Sequence, residues 1–282
     1  MVAWHLLRLT RPKQWVKNLF VFAPVLFAGE LTKVLGVVSS LIAFGYFSVA
    51  AACVYVLNDI SDVEDDRRHP IKRDKRPLAS GKVSLLQARV LLVVLYLALA
   101  TGFLWNWQAM LPIVGYLALN VAYSLSLRHI PVVDIFTIAL GFVARVVAGA
   151  LAIAAPLSAW MFITTLCLAL YLAAIKRRQE LARVGSGSRK VLNDYSVSLV
   201  ENFAVISATG ALVFYSIFAL VAREQLVYTI PFVLFGLFRY WYISDRLESA
   251  ESPTEAMLRD IPLVATVAIW TAICAFVLVA GN

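Results

Sequence analysis

Nine apolar stretches, at about residues 18–30, 34–58, 84–105, 109–127, 132–153, 157–177, 200–222, 226–243 and 261–280, leave this chain no route to a water-soluble fold. Most approach the roughly 20 residues that an α-helix needs to cross a bilayer core of about 30 Å. In lipid the backbone N–H and C=O groups must be satisfied within the protein, and a helix does so residue by residue. The predicted fold class is therefore all-α, a polytopic membrane protein of nine transmembrane helices. With 61% hydrophobic and 15% charged residues, little is left from which to build a soluble module, and residues 1–282 read as one integral membrane domain. The basic and aromatic N-terminal segment is expected to lie along the interface. Its basic flank, short apolar run and Ala28-Gly29 also have the form of a signal peptide, against which Pro24 inside the run argues.

The net charge of +8 raises nucleic acid as a partner, but the basic residues lie between apolar stretches and form no independent module. A membrane topology explains them instead. On these boundaries about 22 of the 25 Lys and Arg residues fall on one side, with Lys33 and Arg223 on the other, which puts the N-terminus in the cytoplasm. Roughly 15 of the 17 acidic residues share that side, although acidic residues contribute little to orientation. Their presence there predicts a polar cap that holds a site. The expected location is the inner (plasma) membrane, multi-pass, with the site cytoplasmic. Cys53, Cys167 and Cys274 are solitary, and His5, His69 and His129 form no constellation, so neither a disulfide framework nor a zinc site is expected.

The densest charge runs from Leu57 to Lys82. Continued as a helix from the preceding apolar stretch, Asp59, Asp62 and Asp66 share one face with Asn58 beside them. Three bare carboxylates about 6 Å apart repel by roughly 3 kcal/mol per pair at an effective dielectric near 20, so a divalent cation gives the arrangement a purpose. Oxygen-only ligands suit Mg²⁺, which commonly shares its shell with substrate phosphates. Arg67, Arg73 and Arg76 follow as counter-charge for those phosphates.

Asn-Asp-x-x-Asp-x-x-x-Asp at the end of an apolar helix resembles the first aspartate-rich motif of the UbiA-type intramembrane prenyltransferase superfamily. Arg11-Pro12-x-Gln14-Trp15-x-Lys17-Asn18 resembles the N-terminal signature of its decaprenyl-phosphate phosphoribosyltransferase branch. Where prenyltransferases of the superfamily carry a second motif, Asp-x-x-x-Asp, this chain has Lys176-Arg177-x-x-Glu180, again similar to that branch. The resemblance implies a UbiA-type bundle around a cavity open to the cytoplasm, with Mg²⁺ on Asp59, Asp62 and Asp66. Asn58 joins them as the fourth catalytic residue. It further implies transfer of 5-phosphoribose from phosphoribosyl pyrophosphate to a polyprenyl phosphate, with Lys17, Arg67, Arg73, Arg76, Asp134, Lys176, Arg177, Glu180 and Tyr195 binding substrate.

Simpler readings stand beside these. Lys17 suits an interfacial anchor, Lys176 and Arg177 a snorkelling helix end, Asp194 a helix cap, and Arg145 either a structural partner or a lipid phosphate. Segment 184–189 reads as a flexible loop by composition, and 253–262 resembles a terminal feature of the same branch and reads equally well as loop and helix cap. Two other functions compete: prenyl transfer from a prenyl diphosphate to an aromatic or other acceptor, and ion-coupled transport. Transport is disfavoured because transporters place their charges near the midplane. A homo-oligomer is compatible with the sequence.

Overall fold

In the computed structural model, residues 2–68, 72–182, 190–246 and 257–280 are described, and they contain helices but no strand. Segment 184–189, His69 and Pro253-Thr254-Glu255 lie outside them. The helices are α1 (Val2–Leu9), α2 (Ala23–Phe27), α3 (Val34–Ser61), α4 (Val63–Arg68), α5 (Lys72–Lys75) and α6 (Leu85–Leu125). They continue with α7 (Val133–Ala152), α8 (Ala159–Ala182), α9 (Val197–Ala222), α10 (Ile230–Arg246) and α11 (Ile261–Ala280). Among the described residues, seven helical segments are long and apolar enough to cross a membrane. Many of their large apolar side chains face outward, among them Leu104, Ile206, Ile261 and Phe276, as a lipid-facing surface requires.

The 41 residues of α6 would span about 60 Å if straight, twice a bilayer core. They reverse instead at Asn106, whose φ of −157° and ψ of 97° break the helix. The side-chain oxygen of Asn106 accepts from the Ala109 N–H at 3.0 Å and caps the second leg. A Cβ on Gly102 would lie 2.5 Å from Met110 Sδ, a proximity that only a hairpin allows eight residues on. The stretches expected at 84–105 and 109–127 are thus the two legs of α6. Between them sits an apolar cavity of about 190 Å³ lined by residues such as Leu99, Phe103, Ile113 and Leu117, apart from any charged cluster.

The first apolar stretch differs from expectation. No long helix covers residues 18–30; a 3-10 helix, Pro12–Phe22, leads into the short α2. Eleven residues is an unusually long 3-10 run, so tertiary contacts must hold it. Asn18, fully buried, donates to Ser48 Oγ of α3 at 3.1 Å and accepts from Arg145 Nε of α7 at 2.8 Å. Arg145 also donates to the Gly141 carbonyl at 2.6 Å and lies over Phe47, Tyr116 and Phe142 at 4.8–5.1 Å, which satisfies a buried charge within the bundle. Of its two earlier readings, the structural partner is the one that matches.

Gly149 of α7 lets the 3-10 backbone come closer still, since a Cβ there would sit 2.0 Å from the Val21 carbonyl oxygen. Gly149→Ala is therefore expected to cost at least about 1–3 kcal/mol by overpacking. A thermal melt of the detergent-solubilised variant checks this, and an unshifted midpoint would refute the close approach.

Candidate active site

The carboxylates gather where α3 ends. α3 stops at Ser61, and Asp62, at φ −93° and ψ 6°, interrupts the path into α4, although Asp62 N–H still bonds the Asn58 carbonyl and Asp66 N–H the Asp62 carbonyl. The break changes the expected single face. Asp59 and Asp66 are both buried and share one guanidinium: Arg76 Nη1 donates to Asp59 Oδ1 at 2.9 Å and to Asp66 Oδ2. Asp62 is half-buried and makes no ion pair among the described residues. The expected triad is accordingly a pair with Asp62 set apart, and among the described residues no three possible ligands surround one point.

Arg11, which was not singled out from the sequence as a site residue, supplies the second counter-charge. Its Nη2 donates to Asp59 Oδ1 at 2.5 Å, and its guanidinium lies 4.9 Å from the Tyr55 ring centroid. Arg11 holds a left-handed backbone, φ 51° and ψ 61°, that a non-glycine residue adopts at a cost, immediately before Pro12 opens the 3-10 helix. The repulsion expected among bare carboxylates is thereby offset by two arginines. Arg67 and Arg73 stay out of the cluster: Arg67 pairs with Glu64 at 3.0 Å, and Arg73 lies 3.9 Å from Asp74, both exposed. α5 and the turn after it bring Arg76 inward, anchored by buried Leu78 and Val83.

A second cluster surrounds Arg177 of α8, whose side chain is fully enclosed. Its Nε donates to Asp134 Oδ2 at 2.5 Å, its Nη1 to Glu180, and its Nη2 to the Tyr123 hydroxyl at 2.9 Å. Tyr195 donates to Asp134 Oδ1 at 2.6 Å and accepts from the Val132 N–H. Burial and that bond to Asp134 raise the Tyr195 phenol, so it stays protonated as a donor. Lys176 is more open and sits 3.9 Å from Glu180. Further ion pairs brace the same helices: Arg178 to Glu201 at 2.6 Å and to Asp245 at 2.7 Å, and Arg239 to Asp260 at 2.8 Å.

Adjacent residues on the second leg of α6 join the clusters. Tyr123 meets Arg177, while Ser124 donates to Asn58 Oδ1 at 3.1 Å. Lys17 is close enough to Lys176, Arg145 and Arg11 to feel their charge, and makes no ion pair among the described residues. Burial and then those cations hold its ammonium down to about 7. One polar region thus carries an acidic side paired with arginines and a basic side where, among the described residues, Lys17 makes no ion pair.

A UbiA prenyltransferase family model matches residues 18–259, most of the chain. The chain belongs to that family. It is 35% identical to a decaprenyl-phosphate phosphoribosyltransferase of Mycobacterium tuberculosis over 93% of this chain and 90% of the relative. It is 38% identical to one of Mycolicibacterium smegmatis over 76% and 70%. Among solved structures, a UbiA homolog from Archaeoglobus fulgidus bound to GPP and Mg²⁺ superposes with a TM-score of 0.72 over 98% of this chain and 99% of that one, at 20% identity. The shared fold is that of a multi-pass, all-helical membrane protein.

The donor set can be tested against a divalent ion. Mg²⁺ commonly takes one or two protein carboxylates and completes its shell with water and phosphate oxygens. A single guanidinium nitrogen bridging Asp59 and Asp66 marks a point where two buried carboxylate oxygens already converge on one cation. The residues therefore fit such an ion.

Proposed function

We propose that this protein transfers 5-phosphoribose from phosphoribosyl pyrophosphate to a polyprenyl phosphate, releasing pyrophosphate, at the cytoplasmic face of the inner membrane. The observation that carries the reading is the pairing of two clusters: an acidic one, and a second in which Lys17 approaches Lys176-Arg177-x-x-Glu180, the sequence that stands where a prenyl diphosphate enzyme has its second acidic motif. A donor with a pyrophosphate at one end and a 5-phosphate at the other matches that division. The names of the relatives support the same chemistry.

Bound Mg²⁺ would supply charge neutralisation at the pyrophosphate as it leaves. Asp59 and Asp66 would hold that ion, with Asp62 close by in sequence, and Asn58 is oriented by Ser124. Lys17 and Lys176 take the remaining phosphate charge, and they act most strongly as the C1–oxygen bond of the donor lengthens. The lipid phosphate is anionic near neutral pH and forms the new C1–oxygen bond without a general base, in keeping with the lack of a histidine in either described cluster. Arg177, fully enclosed, does not reach a substrate in this reading. It aligns Glu180 and, through Asp134, Tyr195.

Purified protein with Mg²⁺ should convert labelled phosphoribosyl pyrophosphate and a polyprenyl phosphate into a labelled lipid. Donor affinity should fall as pH rises above about 7, because Lys17 is charged below that value and above it must take up a proton to pair with phosphate. The decline should approach tenfold per pH unit and vanish in Lys17→Gln. Consumption of a prenyl diphosphate with an aromatic acceptor, and none of the sugar donor, would replace the assignment with prenyl transfer.

A further inference from the structure

We propose that Arg76 competes with the divalent cation for Asp59 and Asp66, and that once displaced it passes to the pyrophosphate of the donor. The inference rests on the proposed function and adds a coupling element to that site. Its basis is positional: Arg76 Nη1 lies within hydrogen-bond distance of both carboxylates, and no second cation can occupy the same point. Charge balance leads to the same result. Asp59 and Asp66 contribute two negative charges, and among the described contacts Arg11 and Arg76 already bring two positive ones to them. A divalent ion entering beside both arginines would leave an excess of two positive charges in a buried place, which a low local dielectric penalises.

Relief comes when a guanidinium leaves and an anion arrives. Arg76 is able to leave. Its side chain is 24% exposed and sits in the bend just after a one-turn helix, whereas Arg177 is 0% exposed and tied on three sides. Pyrophosphate accepts a planar guanidinium in a bidentate geometry that suits arginine better than lysine. Metal and donor then favour one another's binding through Arg76, and the ion binds weakly until the donor is present. Such an arrangement limits idle occupation of the site by the ion alone.

The test uses the full chain in detergent, Mn²⁺ as a paramagnetic probe and inorganic pyrophosphate. Arg76→Gln should bind Mn²⁺ alone at least tenfold more tightly than wild type, and pyrophosphate should raise that affinity by a smaller factor than in wild type. Equal or weaker Mn²⁺ binding in Arg76→Gln would overturn the proposal, since it would mean that Arg76 supports the carboxylates for the ion. Asp59→Asn separates this failure from that of the underlying site: if it binds Mn²⁺ like wild type, the carboxylate pair is not the metal site at all. Should Arg76→Gln not fold, wild-type protein decides. Phenylglyoxal modification of Arg76, read by mass spectrometry, should rise on adding Mn²⁺ and fall again with pyrophosphate; indifference to Mn²⁺ would refute the exchange.

Discussion

Asp59→Asn is expected to reduce phosphoribosyl transfer at least about a hundredfold while the protein remains folded. Losing one of two protein ligands forfeits several kcal/mol of charge stabilisation at the leaving group, and each 1.4 kcal/mol is about tenfold in rate. Stability should change little. The asparagine oxygen still accepts from Arg11 and Arg76, and those side chains are 33% and 24% exposed, so solvent screens the lost charge and about 1 kcal/mol is at stake. Initial rates with labelled donor and a detergent melting curve read the two quantities separately. A variant that melts like wild type and keeps more than a tenth of its activity would remove Asp59 from the chemistry.

Arg177→Met should act in the opposite order, on folding first. It strips the counter-charge from Asp134, whose side chain is 0% exposed, and one cation from Glu180, and unpairing a buried charge such as that of Asp134 costs about 3–5 kcal/mol. The yield of monodisperse protein and its melting midpoint should both fall. Adding Asp134→Asn removes the orphaned carboxylate and should restore at least half of the lost stability, a coupling that a double-mutant cycle measures directly. Transfer should stay impaired in the double variant, because Glu180 and Tyr195 are no longer aligned. Additive losses from the two substitutions would mean that Arg177 and Asp134 act independently.

Much of this architecture was legible from the apolar stretches, and the gap between those at 84–105 and 109–127 coincides with the reversal inside α6. The first stretch was misread because Pro12, Lys17 and Asn18 carry no periodic signal for a 3-10 helix; the segment takes its form from Arg145, Ser48 and Gly149, distant in sequence. The acidic motif was visible as charge at helical spacing. Spacing assumes an unbroken helix, though, and Asp62 interrupts it, so a predicted triad becomes a pair. Arg11, Tyr123 and Ser124 went unnoticed as members of the site for a related reason. Their partners lie 48, 54 and 66 residues away, and ordinary residue types at ordinary helix ends give no sign of such pairings. Arg177 illustrates the converse: the motif drew attention to it, while only packing reveals that it is enclosed.

The contact between Val21 and Gly149 has a consequence for biogenesis. The 3-10 segment and α2 are too short and too polar to enter the bilayer as an independent helix, and their seat on α7 does not exist until Gly149 has been translated. At about 5–20 residues per second, the intervening chain takes on the order of 10 s to emerge. During that interval Arg11 and Lys17 lack that seat, so Asp59, although made early, gains its Arg11 partner only after α7 has been translated. Nascent chains truncated before α7 should accordingly leave a cysteine at position 21 open to aqueous thiol reagents, and chains extended well beyond it should not.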